Sequence, residues 1–355
     1  MTKQQEALLS LIRLGIGHQS ISSKSVDWKA VEELAYEQGL SAVLIDGMEK
    51  LPVDIRPPKE KLLKLIGEIL QGYEYRYENY KRTIADLAKF YNAHGFKMMI
   101  LKGYACGMNW PKPEHRPCGD IDIWQFGEYK KADSIVAAEK GIKIEKMHPH
   151  HTVFHWDSFT VENHYDFINI HRHGTHYSLE RIFKELGQDD SNWTILHGEK
   201  VYLPSVNLHA LFLLRHSLNH FASIGITLRQ VLDWAFFVQK HTKEIDWPWL
   251  LGILKQYNMV EFFNCMNAIC VEELGFMSNI FPIVQFNPVL KERVLLDILE
   301  PHFVVEPKKR LFPRLISKYK RWKVNKWKRE LCYYESDWDI FWRGVWSHIT
   351  KPLTI

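Results

Sequence analysis

Apolar positions recur at helical spacing through the first part of the chain. Ala7, Leu8, Leu11, Ile12 and Leu14 fall on one helical face. Trp28 to Gly39 reads as a second helix, with Asp27 as its N-cap and Gly39 as its stop. Pro57-Pro58 interrupts the pattern. Leu62, Leu63, Ile66, Ile69, Leu70 and Tyr73 then keep helical register in a long helix from Lys59 to Ala93, closed by His94-Gly95. Beyond Gly95 the period shortens. Phe96 to Leu101 is a compact apolar strand, Gly103 to Asn109 a short helix, and Asp120 to Trp124 a second strand. Tyr129 to Lys140 returns to helical spacing. Ile142 to Met147, Thr152 to Trp156 and Phe159 to Asp166 alternate as a meander. From Leu208 the chain is mainly helical, with Val206 to Phe221 and Leu228 to His241 as a packed pair.

This order predicts an α+β fold, a small mixed-sheet core flanked by helical regions. The expected segments are 1–94 (helical), 95–200 (the sheet-bearing core) and 201–355 (helical, with a basic tail). At 355 residues the chain is long enough for two or three such units. No apolar run approaches the ~18 residues of a membrane span. The longest, Leu208 to Leu214, stops at Arg215 and His216. The first residues lead into an amphipathic segment and show no cleavable signal. Five scattered cysteines (Cys106, Cys118, Cys265, Cys270 and Cys332) form no C-x-x-C pair, which argues against zinc ribbons and redox motifs. A sparse, odd count suits a reducing compartment, so a cytoplasmic location is expected.

The chemistry concentrates at Gly119-Asp120-Ile121-Asp122-Ile123. On a strand, Asp120 and Asp122 share a face about 7 Å apart, at ~3.3 Å per residue, while Ile121 and Ile123 turn into the core. Two such carboxylates repel unless a cation lies between them or water screens them. Mg²⁺, or Mn²⁺, is the natural candidate, since it takes hard oxygen ligands and brings phosphates with it. Glu162, in the β-rich run Phe159 to Tyr165, supplies a third carboxylate, and Asp166 lies near enough to compete for that role. Three carboxylates on adjacent strands can hold two metal ions about 4 Å apart. Lys102 offers charge to a phosphate, and Arg116 offers a two-pronged guanidinium. His164, two residues beyond Glu162, is placed to orient a ligand or a substrate hydroxyl.

The combination Leu101-Lys102-Gly103, Arg116-Pro117-Cys118-Gly119-Asp120-Ile121-Asp122 and Glu162-Asn163-His164 resembles the uncharacterised nucleotidyltransferase family of bacteria. That family is itself similar to the superfamily with a polymerase-β-like core. The resemblance covers roughly residues 30 to 240. It implies a nucleotidyltransferase-type sheet, an NTP substrate, Mg²⁺ (or Mn²⁺) on Asp120, Asp122 and Glu162, and nucleotide contacts from Lys102, Gly103, Arg116 and His164. The expected reaction transfers an NMP from the NTP to the hydroxyl of an unidentified acceptor. One departure stands out: Tyr104 follows Gly103 where the superfamily has a small residue.

Two rivals belong beside this reading. A glycosyltransferase also uses Asp-x-Asp for a metal–nucleotide, but needs a larger α/β domain upstream. A non-catalytic module binding nucleotide or nucleic acid would tolerate Tyr104, yet has no need of three intact carboxylates.

Other features have plainer readings. His148, His150, His151, His155, His164, His171, His173 and His176 are spread over several strands and both faces of the meander, so a dedicated zinc site is not expected. His216 and His220 share a helix face without a glutamate in the metalloprotease position, which suits packing against the catalytic unit. Arg229 and Asp233 stand four apart, as a helical ion pair. Lys308 to Arg329 is basic, without an acid, and interleaved with Phe312, Tyr319, Trp322 and Trp327. It reads either as a solvated helix or as a surface for an anionic polymer or membrane.

Overall fold

A computed structural model describes residues 1–19, 26–171, 173–282, 287–300 and 319–350. Helix α1 (Lys3–Gly15) opens with a capping box in which Thr2 and Gln5 exchange hydrogen bonds. Asp27 caps α2 (Trp28–Glu37) by accepting from the Ala30 amide at 3.2 Å. Helix α3 (Ser41–Lys50), which the periodicity did not separate, backs directly onto α1. A Cβ on Gly47 would lie 2.0 Å from the Leu11 carbonyl, so only glycine permits that approach. The expected helix from Lys59 to Ala93 is continuous: α4 (Lys59–Ile69) passes through one wider turn, Leu70–Glu74, into α5 (Tyr75–Ala93).

Six strands form one mixed sheet. They are β1 (Met99–Ile100), β2 (Ile121–Trp124), β3 (His151–Trp156), β4 (Phe159–His164), β5 (Trp193–Leu196) and β6 (Glu199–Tyr202), in the order β3-β4-β2-β1-β6-β5. β2 runs parallel to β4 and β1 parallel to β6, while the other neighbours are antiparallel. The first strand is shorter than expected, because only Met99 and Ile100 pair. The run Ile142 to Met147 pairs only at Glu145, opposite Val153. The β5–β6 hairpin was not legible in the pattern, since Trp193 and Ile195 stay exposed and blur the alternation. It turns at His197-Gly198, both with positive φ, as a two-residue hairpin matched to strand twist requires.

Two cores result. Ile121, Ile123 and Val161 face α5 and α7 (Tyr129–Lys140), with Tyr80, Ile84 and Val136. Asp133 of α7 fixes this face, accepting from Thr152 Oγ1 at 2.8 Å and Asn163 Nδ2 at 2.9 Å. The second core joins α1–α3 to the C-terminal helices, including α9 (Val206–Ser223) and α10 (Leu228–His241). Buried Gln38 stitches them together. Its Oε1 accepts from the Leu228 amide at 2.8 Å, and its Nε2 donates to the Ile298 carbonyl at 2.9 Å. The first and last helical segments therefore share one core, while residues 75–93 belong structurally to the sheet. Among the described residues, no helix is long and apolar enough to cross a membrane.

Candidate active site

Alternation along β4 puts Phe159, Val161 and Asn163 on the α5–α7 side and turns Glu162 and His164 to the opposite face. The parallel register sets Asp122 of β2 directly beside Glu162 of β4. Asp122 is 5% exposed. Lys102 leaves the end of β1 and places its Nζ 2.6 Å from Asp122 Oδ1. His164, 2% exposed, puts Nε2 3.2 Å from the same oxygen and 3.8 Å from Glu162 Oε2. Its Nδ1 lies 3.2 Å from the Asp166 carbonyl. A carbonyl and a carboxylate both only accept, so each ring nitrogen of His164 faces an acceptor.

The electrostatics follow from this crowding. Burial works to raise the Asp122 pKa, but the Lys102 charge and the His164 hydrogen bond outweigh it and hold the carboxyl below its usual range. Burial, and then the charge of Asp122, push Glu162 up to about 7. Burial works against the charge of Lys102, while Asp122 and Glu162 more than offset it, so its pKa stands above the lysine norm. Two adjacent carboxyls thus shift in opposite directions, Asp122 down and Glu162 up.

Asp120 sits at the rim, exposed, just before β2 begins. Burial of part of its carboxyl and the nearby Asp122 raise its pKa. It lies outside the tight group of Asp122, Glu162 and His164, whose ligand atoms are all within 4.8 Å of one another. Gly103 forms the sharp turn after Lys102 with φ +56. Tyr104 begins the four-residue helix Tyr104–Gly107 and is buried.

Two expectations are corrected. Arg116 is engaged by an aspartate of α10. It is 7% exposed, and it donates from Nε to Asp233 Oδ1 at 2.7 Å and from its second amino nitrogen to Oδ2 at 2.9 Å. Trp110 Nε1 donates to the same Asp233 at 2.8 Å. The guanidinium therefore locks the loop before β2 onto α10, and Asp233 pairs with Arg116 across 117 residues of sequence rather than with Arg229 on its own helix. The second correction concerns the histidines. The turn before β3 and the β3–β4 register gather His148, His150, His151 and His164 into one cluster. Burial, and then neighbouring histidine charge, hold His150 well below its ordinary pKa and push His151 down to about 2. His155 lies exposed on β3, and His173 stacks on Tyr333 away from the sheet.

Asp166, the alternative third carboxylate, turns aside to pair with Lys184 of α8 (His176–Leu186). His216 and His220 have ring centroids 4.4 Å apart on α9. Burial lowers the His216 pKa, and the charge of Lys102 adds to it. Only helices precede β1 among the described residues, so the upstream α/β domain that a glycosyltransferase needs is not seen there. Of the basic run Lys308 to Arg329, residues 308–318 lie outside the described residues. In the described part, Lys328 pairs with Asp297 at 2.6 Å and Arg329 with Asp337 at 2.8 Å.

A small mixed sheet with acidic side chains on adjacent strands and a lysine turn beside them is the frame of a nucleotidyltransferase-like protein. The chain belongs to the family described as uncharacterised nucleotidyltransferases, whose sequence profile matches residues 24–275. No curated protein sequence matches it. Among solved structures it is similar to an antigenic nucleotidyltransferase-like protein from Paracoccidioides brasiliensis. That match is 12% identical, covers 57% of this chain and 95% of the other, and has a TM-score of 0.35.

Proposed function

We propose that this protein is a metal-dependent nucleotidyltransferase that moves an NMP from an NTP to an acceptor hydroxyl. The observation that carries the reading is the parallel pairing of Asp122 with Glu162, with Lys102 Nζ 2.6 Å from Asp122. The donor set suits a hard divalent cation: two carboxylates are crowded together, and one of them has its pKa driven up to about 7 in the absence of added positive charge. Asp122 and Glu162 would hold Mg²⁺ or Mn²⁺, with Asp120 contributing at the rim. When bound, the ion would neutralise phosphate charge and polarise the α-phosphoryl group.

The chain's own residues account for the remaining steps. Lys102, relieved of neutralising Asp122, turns its ammonium to the triphosphate. His164, fixed through Nδ1, keeps Asp122 and Glu162 oriented. Glu162 takes the proton of the acceptor hydroxyl. The hydroxyl oxygen bonds to the α-phosphorus, the bond from that phosphorus to the bridging oxygen breaks, and pyrophosphate leaves with its electron pair. The buried face excludes water from competing as acceptor. A cytoplasmic location is part of the same proposal.

Calorimetry tests it. The wild type should bind a non-hydrolysable NTP analogue with Mg²⁺, and Asp120→Asn/Asp122→Asn should remain folded and lose that binding. Equal affinity in the two proteins would sink the proposal. A screen of radiolabelled NTPs against cell extract would then show which acceptor fraction becomes labelled.

A further inference from the structure

Beside Glu162 the sheet assembles donors of a different kind. β3 and β4 run antiparallel with His151 opposite His164, and the chain entering β3 brings His150 alongside. The three ring centroids stand 4.5, 5.2 and 5.4 Å apart. One ligand nitrogen from each ring lies within 4.8 Å of the other two. Glu162 Oε2 is 3.7 Å from His151 Nδ1 and 3.8 Å from His164 Nε2. His151 is 6% exposed, and its Nδ1, like that of His150, is buried without a hydrogen-bond partner. Buried polar nitrogens ordinarily find a partner, so two orphans on rings of one cluster call for an explanation.

We infer that His150, His151 and His164 form a binding site for a divalent transition metal of the zinc type. Neutral imidazoles are borderline donors that suit Zn²⁺ and its neighbours rather than Mg²⁺. Three histidine nitrogens with a fourth position open make a ligand set of the kind zinc accepts. The Asp166 carbonyl fixes the His164 ring through Nδ1, the usual support for a metal-bound histidine, while Nε2 lies 3.2 Å from Asp122 Oδ1 and would exchange that contact for the ion. The site rests on ring geometry and not on nucleotide transfer, although His164 belongs to both.

The full chain, stripped with a chelator, should be titrated with Co²⁺ as a spectroscopic probe and then with Zn²⁺. One Co²⁺ per chain should bind, give the visible bands of a tetrahedral ion, be displaced by Zn²⁺ and resist excess Mg²⁺. His150→Ala and His151→Ala should each weaken Co²⁺ binding by more than the ~10–100-fold that losing a ligand's supporting hydrogen bond costs. Both variants should still bind the Mg²⁺–nucleotide analogue, which reports that they are folded. Zn²⁺ should also raise the melting temperature of the wild type and not of either variant. The inference is overturned if no ion binds stoichiometrically. It is equally overturned if Co²⁺ binding survives both histidine variants and vanishes in Asp120→Asn/Asp122→Asn, since the metal is then that of the nucleotide site. Intact Co²⁺ spectra without any nucleotide binding would instead remove the transferase reading and leave this site standing.

Discussion

The hydroxyl of Tyr80 stands where a side chain on Gly103 would begin. A Cβ built on Gly103 would lie 2.1 Å from that oxygen. The same hydroxyl donates to the Asp120 carbonyl at 2.9 Å, so α5, the turn after Lys102 and the approach to β2 are tied at one point. Gly103 also has φ +56, where side chains are strained whatever the space.

Gly103→Ala should therefore destabilise the fold by at least the ~1–3 kcal/mol of a strained backbone and displace Lys102 from Asp122. Adding Tyr80→Phe removes the clashing oxygen and should recover part of the loss, while the φ cost remains. Denaturant unfolding of the single and double variants measures this. A Gly103→Ala protein as stable as wild type would refute the account.

Glu162→Gln should keep nucleotide binding and lose turnover by about 10²- to 10⁴-fold, the usual contribution of a general base. Asp166→Asn should leave turnover near wild type, because Asp166 is committed to Lys184. Steady-state rates of the two variants decide the matter, and a reversed pattern would show that the base has been misassigned.

Arg116→Ala strands a buried Asp233 and should cost roughly 3–5 kcal/mol, the range for breaking a buried pair. Arg116→Lys should also be destabilising, since one ammonium cannot replace the two-pronged contact. A direct phosphate role predicts something else, namely weaker nucleotide binding at unchanged stability. Melting curves and calorimetry on the same preparations separate the two.

Glu180 sets a pH dependence away from the carboxylate pair. Its oxygens accept from the Phe167 and Ile168 amides at 2.9 and 3.0 Å. Burial, with a further push from Asp166, raises its pKa from 4.5 to about 8. A carboxyl raised on folding contributes stability that is fully present below its unfolded value. That contribution is lost as the pH rises through about 8. Melting temperature should thus fall from pH 5 toward pH 8 in the wild type, and the decline should be shallower in Glu180→Gln. Parallel slopes would rule Glu180 out as the cause.

The described end of the basic segment leaves Lys320, Lys323 and Lys326 exposed, while Lys328 and Arg329 are paired internally. Lys326 also reaches Glu330 at 3.5 Å, on the surface, where such pairs contribute little. Three lysines would give a salt slope for single-stranded RNA of about 2, at ~0.7 per phosphate contact. Replacing all three with Gln should flatten it. A slope unchanged by the triple substitution would assign polyanion binding elsewhere in the chain.

Local pattern was enough for much of this molecule. Asp27 as a cap, Gly39 as a stop, the long helix from Lys59 to Ala93, the Asp120–Trp124 strand and the shared face of Glu162 and His164 all follow from capping chemistry and from periods of 3.6 and 2.0. Those rules act within a few residues, so the chain itself carries them. Partnership across the fold is different. Arg116 offers the same guanidinium whether it meets phosphate or a carboxylate, and only the docking of α10 put Asp233 in front of it. The histidines look scattered in sequence, yet the β3–β4 register, fixed by long-range pairing, brings His150, His151 and His164 around one point. Alternation predicts one shared face for Asp120 and Asp122, but β2 begins at Ile121 and leaves Asp120 at the rim. Which of them is buried beside Lys102 was decided by where β2 begins and by the strand that lies beside it, because burial and charge proximity are properties of the assembled sheet.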